Sequence, residues 1–179
     1  MSDLKDRILR AAKLDAAIYE EVEADQEALG QATGVVVLSS VAAGVGSGIQ
    51  SGPGGVVVGI VGALIAWYVW AYLTYVVGTK LLPEPQTRAD IGELLRTTGF
   101  SSSPGLIRFL GVIPGFAELV FSVASIWMLV AMVIAVRQAL DYSGTLRAVG
   151  VCIIGWFVQM LILALLLFLL GSPRAGVIL

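Results

Sequence analysis

The sequence contains no histidine, a single cysteine and few charges. Each shortage excludes something. Without histidine the chain lacks the commonest general base and the commonest metal ligand. Cys/His zinc sites and histidine-containing triads are ruled out. The lone Cys152 cannot form a disulfide within the chain, and its place in an apolar run makes it a small buried side chain. Charged residues make up 13% of the 179 positions, against about 25% in soluble domains. The net charge of −2 supplies no basic field for nucleic acid. The first 31 residues carry twelve charges and so no apolar signal-peptide core, which places the N-terminus on the cytoplasmic side as an expectation.

Apolar residues are abundant, at 58%. Uncharged stretches at 32–49, 56–77, 119–136 and 149–170 each approach the roughly 20 apolar residues with which a helix crosses a bilayer core of about 30 Å. With no water at that depth the backbone must pair internally, so these stretches read as helices. The longest polar connection, residues 78–104, has 27 residues and leaves no room for a soluble domain. A fifth segment lies between Pro104 and Pro114. Its nine residues would extend about 14 Å as helix, too short to cross alone yet too apolar for a loop. Five crossings leave nine Lys and Arg on the N-terminal side and only Arg174 opposite, with Arg108 in the membrane; four crossings give nine against two. The expected architecture is therefore an all-α polytopic transmembrane helix bundle. Its membrane segments fall at about 32–49, 56–77, 101–113, 115–136 and 149–170, the third short and proline-bounded. An amphipathic helix within residues 1–30 precedes this 31–171 domain, and a short tail, 172–179, follows it.

The polar residues then define the candidate sites. Leu4, Ile8, Ala11, Ile18, Val22 and Leu29 form one helical stripe, interrupted by Asp15 and Asp25. Bases gather in its first half and acids, Glu20 and Glu21 among them, in its second. Two readings stand: an interfacial helix with its basic end on anionic lipid and its acidic end offered to a partner, or a solvated helix packed on the protein's own cytoplasmic face. After the Leu82-Pro83-Glu84-Pro85 turn, Thr87 or Asp90 can cap a short helix whose Ile91, Leu94 and Leu95 share a face, suiting the membrane surface. Arg96, Arg137 and Arg147 are candidate contacts for lipid phosphates or a partner carboxylate.

Arg108 and Glu118 are the charges at membrane depth, where an ionisable side chain costs about 3 kcal/mol or more and signals function. A bend at Pro114-Gly115 could pair them; alternatively Arg108 snorkels to the cytoplasmic interface while Glu118 sits at the opposite one. Gln159 suits an interhelical amide bond. Gly44, Gly48, Gly52, Gly55 and Gly59 include pairs four apart, which let helix backbones approach closely. Packing of the first hairpin is their expected use and homo-oligomerisation the alternative. No catalytic pair or cofactor loop is visible, so a non-enzymatic protein is expected.

Tyr19-Glu-Glu-Val-Glu-Ala-Asp with a span opening at Gln31-Ala, Gly92-Glu-Leu-Leu-Arg-Thr-Thr-Gly-Phe with Pro104-Gly-Leu and Ile113-Pro-Gly, and Trp127 with Val136-Arg-Gln-Ala-Leu-Asp and Arg147-Ala occur in order. This pattern, over residues 19–170, resembles bacterial Yip-one-domain proteins, a family named for members that interact with Ypt/Rab GTPases. The resemblance implies a five-helix membrane domain with a cytoplasmic N-terminus and no catalytic residue. The expected function is to organise or recruit membrane or cytoplasmic protein partners at a bacterial inner membrane. A small transporter or channel subunit using Arg108 and Glu118, or an accessory subunit of a larger complex, is the alternative.

Overall fold

The computed structural model describes residues 3–47 and 52–169. Among them every regular element is helical. The α-helices are α1 (Leu4–Ala12), α2 (Ala16–Ala24), α3 (Ala28–Gly46), α4 (Gly52–Val76), α5 (Ile91–Phe100), α6 (Ala117–Ala139) and α7 (Thr145–Leu169). A π-helical turn, Val77–Leu81, continues α4, and a 3-10 helix, Ser103–Val112, follows α5. Four stretches are long and apolar enough to cross a membrane: Ala28–Gly46, Gly54–Leu81, Ala117–Ala139 and Thr145–Leu165. Gly48 and the 172–179 tail lie outside the described residues.

The chain passes along the bundle five times. α3 leads away from the N-terminal end, α4 returns, α5 with the 3-10 helix leads away, α6 returns and α7 leads away. Hydrogen bonds from Gln138 to Glu20 and from Gln86 to the Asp141 carbonyl gather the connections at the N-terminal end. Gly46, Arg108, Gly111 and Phe121 meet toward the far end.

The third pass differs from the expected short segment. It begins at Ile91, not near residue 101, and α5 lies inside the bundle rather than on the membrane surface. Asp90 and Glu93 close a reciprocal cap over its first turn, satisfying two amide donors that would otherwise be orphaned. From there Leu94, Leu95, Thr97, Thr98 and Phe100 are all buried against α2, α3, α4 and α6. The hydroxyls of Thr97, Thr98 and Ser101 donate to carbonyls of the preceding turn. Each of these three hydroxyls thus enters the interior already bonded, which removes the main cost of burying it. α5 rises about 15 Å and the 3-10 helix about 20 Å, together enough to traverse a hydrocarbon core.

This pass lies parallel to α3 along a line of small residues. A Cβ at Gly99 would come 2.8 Å from Ala32 Cβ, one at Gly105 would overlap Ser39 Oγ, and one at Gly111 would come 2.8 Å from the Gly46 carbonyl oxygen. On α3 the contacts recur every seven residues, two turns of an α-helix. On the third pass they recur every six, the first step crossing from α5 into the 3-10 helix and the second, Gly105 to Gly111, making two turns of the 3-10 helix.

The N-terminal segment is a helical hairpin instead of one helix over residues 4–29. Leu14 takes a left-handed φ of 62°, and Asp15 caps α2 by accepting from the Ala17 amide. Asp25 ends α2 and accepts from the Glu27 amide. The two aspartates that interrupt the stripe are therefore its turn residues. The fold-back brings the basic half onto the acidic half. Arg7, only 3% exposed, reaches Glu21 at 3.1 Å, Asp25 at 2.8 Å and Gln31 at 3.0 Å. Arg10 reaches Asp15 at 2.9 Å and Glu21 at 2.7 Å. Glu21 is accordingly taken up within the hairpin, Arg7 is not presented to lipid, and Arg10, though partly exposed, is paired within the hairpin. Ile18, Tyr19 and Val22 pack on Phe100 and Ala135, so the segment docks on its own bundle.

Candidate functional site

The N-terminal end of the bundle carries a connected polar platform. Its base is the short turn between α6 and α7. Tyr142 there is buried and donates its hydroxyl to the carbonyls of Gly78 (3.1 Å) and Leu82 (2.8 Å), and burial pushes its phenol up to about 12. Glu84 accepts from the Ser143 amide (3.0 Å) and hydroxyl (2.9 Å) and pairs with Arg147 at 3.2 Å. The Ser143 amide bond, more than the arginine, holds its carboxyl below the usual range. Arg147 also donates to the Pro83 carbonyl at 2.8 Å.

Between these contacts lies a polar recess of about 540 Å³ lined by Glu20, Gln86, Arg137, Gln138, Asp141 and Tyr142. Gln138 donates to Glu20 at 2.7 Å. Arg137, in the last turn of α6, donates to the Tyr142 carbonyl (3.3 Å), Thr145 Oγ1 (3.3 Å) and the Ser143 carbonyl (3.4 Å). No carboxylate pairs with it among the described residues, although the α6 carbonyl terminus favours its charge.

Glu23 lies nearby with Oε2 buried and without a hydrogen-bond partner. Burial, reinforced by Glu93, Glu20 and Asp141, pushes its carboxyl up to about 8 against the opposing effect of Arg96. Arg96 itself is 7% exposed and donates to the carbonyls of Val22 (3.0 Å) and Glu23. It closes the carbonyl end of α2, where a cation is favoured, and is not a surface contact for lipid or a partner. The Arg96–Pro104 stretch is correspondingly interior.

Toward the far end, Arg108 turns sideways onto α6. It donates to Ser125 Oγ at 3.2 Å and lies 5.6 Å from the centre of the Phe121 ring, a cation–π distance. Its Nε is buried without a partner. Glu118 is exposed in the first turn of α6. Among the described residues no ion pair joins the two, and Arg108 does not snorkel toward the N-terminal end. Pro114-Gly115 turns the chain, with Gly115 at φ 81°, but closeness in sequence does not become contact. Gln159 is half-buried, and none of the hydrogen bonds among the described residues involves its amide, so the interhelical bond expected there is not formed.

The glycines divide differently from expectation. Gly44 meets Val56 at 3.8 Å, a contact within the first hairpin. Gly52 opens α4 and Gly55 is half-buried. Gly59 has nothing within 4 Å, so it does not pack the hairpin. The close approaches fall on Gly46, Gly99, Gly105 and Gly111, and on Gly78 against Leu140. The signal for the first four was Ala32, Ser39 and Gly46 seven apart on α3 and Gly99, Gly105 and Gly111 six apart beyond it.

The family model of the Yip1 domain matches residues 17–167. The chain belongs to the Yip1 domain family. None of the curated proteins and none of the solved structures matches it. The matched span begins in α2 and ends in α7, so the Yip1 domain takes in all five passes and every residue of the polar recess, while α1 lies outside it. Among the described residues of this Yip1 domain, no three His, Cys, Asp or Glu side chains converge to hold a metal ion. The domain also has a second concavity, an apolar groove of about 600 Å³ between α6 and α7 floored by Trp70 of α4.

Proposed function

We propose that this Yip1-domain protein is a non-enzymatic integral membrane protein that recruits or organises protein partners at a bacterial cytoplasmic membrane. The polar platform, facing the cytoplasm, would be its contact surface. One observation carries the reading. The three connections at the N-terminal end are tied together by side-chain bonds across about 60 to 120 residues of chain, from Glu84 to Ser143 and from Glu20 to Gln138. A surface held this firmly suits recognition. The excess of Lys and Arg at the same end supports the orientation. Within the membrane, the face of α4 at Gly59 and Gly62, with nothing within 4 Å of either, offers room for a second copy or a partner helix.

The test uses Gln86→Arg combined with Arg147→Gln, two exposed residues of the platform. The variant should insert at the wild-type level yet lose proteins that co-purify with the wild type in mild detergent. An unchanged set of partners would overturn the reading. A second reading, a small transporter or channel subunit, draws on the unpartnered Arg108 Nε at membrane depth. Solute flux in proteoliposomes that is abolished by Arg108→Gln or Glu118→Gln would establish it instead.

A further inference from the structure

The apolar groove and the polar recess meet at one residue. Thr145 lines the groove and accepts a hydrogen bond from Arg137 Nη1, and Arg137 lines the recess. The groove is walled by Val133, Ile134, Val149, Cys152 and Ile153 and closed below by Trp156. From Thr145 to Trp156 the α7 backbone rises about 16 Å, close to half of a bilayer core of about 30 Å. The groove therefore runs the depth of one leaflet, with its mouth where the spans Ala117–Ala139 and Thr145–Leu165 leave the membrane.

We propose that this groove and recess together bind one membrane phospholipid with a primary-amine headgroup, a phosphatidylethanolamine. An acyl chain fills the groove, the phosphate sits on Arg137 and the ammonium enters the recess. Three features select this occupant. The groove is apolar throughout its depth, so it suits a hydrocarbon chain. The Arg137 bonds, at 3.3–3.4 Å to neutral oxygens, are long for N–H···O bonds, so exchanging one for a charge-assisted bond to phosphate is favourable. Beyond Arg137 the recess turns acidic. Glu20 uses one carboxylate oxygen on Gln138, and no hydrogen bond among the described residues occupies the Asp141 carboxylate.

Two carboxylates behind one guanidinium repel a headgroup whose only charge is negative. They attract an ammonium, and the three donors of a primary amine can use their oxygens. A choline headgroup carries the charge but has no N–H to donate. The site thus ranks ethanolamine above choline and glycerol headgroups.

Native mass spectrometry of the full-length protein in mild detergent, with equimolar dioleoyl phosphatidylethanolamine, phosphatidylcholine and phosphatidylglycerol added, tests this. The wild type should retain one phosphatidylethanolamine in preference to phosphatidylcholine by about fivefold, the scale of a partly exposed ion pair. Glu20→Gln with Asp141→Asn should bring that ratio near one while lipid is still retained. Arg137→Gln should weaken retention of all three lipids. Ile153→Trp, at a half-exposed position, fills the groove without touching a headgroup contact and should also displace all three. Circular dichroism and gel filtration check that each variant is folded. Equal retention of the three lipids by the wild type overturns the proposal. So does a preference for phosphatidylglycerol, or a preference for ethanolamine that survives loss of both acids. A wild-type dimer that Ile153→Trp separates assigns the groove to a second copy and likewise overturns it.

Discussion

Replacing Gly46 by alanine challenges the contact between α3 and the third pass at its tightest point. The new Cβ would overlap the Arg108 carbonyl oxygen, stand 2.9 Å from that carbonyl carbon and 3.2 Å from Phe121 Cε2. The obstruction is backbone, so no rotamer change relieves it. Gly46 ends α3, so it recovers only part of the roughly 0.5–1 kcal/mol that alanine gains over glycine in a helix. Overpacking costs about 1–3 kcal/mol, which leaves a net loss of about 1–2 kcal/mol. For a chain of this size each kcal/mol corresponds to about 2–4 °C in the melting temperature, so a fall of about 2–8 °C is expected. Gly59→Ala is the matched control, since nothing lies within 4 Å of it. It should keep the propensity gain and melt at or slightly above the wild type. Tryptophan-fluorescence melts in one detergent, with the three proteins side by side, give the comparison. If Gly46→Ala melts with Gly59→Ala, the close approach of α3 to the third pass is wrong.

Other outcomes follow from the N-terminal hairpin. The folded-state carboxyl of Glu23 is raised from 4.5 to about 8, so its contribution to stability is fully present below about 4.5 and lost as pH rises through 8. Glu23→Gln should match the wild type at pH 4 and be the more thermostable at pH 8.5; identical pH–stability curves would contradict the buried, acid-flanked setting. The Asp25 carboxyl is lowered, first by its bond from Arg7. Its contribution is present above the unfolded value of about 3.9 and disappears as pH falls through the lower folded value. Limited proteolysis of Leu4–Ala24 with an acid-active protease should therefore accelerate below about pH 4. Arg7→Gln should expose the same segment at neutral pH, since removing a buried cation from a bonded network costs about 3 kcal/mol. Unchanged cleavage there would show that Ile18, Tyr19 and Val22 hold the hairpin without it.

The four long spans were legible because composition alone determines what can lie in hydrocarbon. The family was legible as well, since its short motifs keep their order. The third pass was read only in its apolar tail. Arg96, Thr97 and Thr98 depress the hydropathy of α5, and nothing in a hydropathy pattern shows that their polar atoms are bonded to nearby carbonyls. Asp15 and Asp25 were visible as interruptions, yet their role as turn residues appeared only once Arg7 was seen folded against Glu21. Arg108 and Glu118 drew attention by charge and sequence separation, and the turn at Gly115 sends them to different neighbours. Glu84 escaped notice because its partner, Ser143, lies 59 residues away with no periodicity to link them.

The small-residue line between α3 and the third pass behaves as two screws of unequal pitch that mesh at shared teeth. From Ser39 to Gly46 α3 advances about 10.5 Å and from Gly105 to Gly111 the 3-10 helix advances about 12 Å, so these teeth coincide only in one vertical setting. Sliding either helix, or rewinding the 3-10 helix as α, carries Gly105 and Gly111 off their counterparts and drives a larger side chain into the gap. Length, more than residue identity, is therefore the protected property of this stretch. A conservative swap at Ile107 or Leu110 should pass with little effect, whereas inserting a single residue between Gly105 and Gly111 should unseat the whole pass.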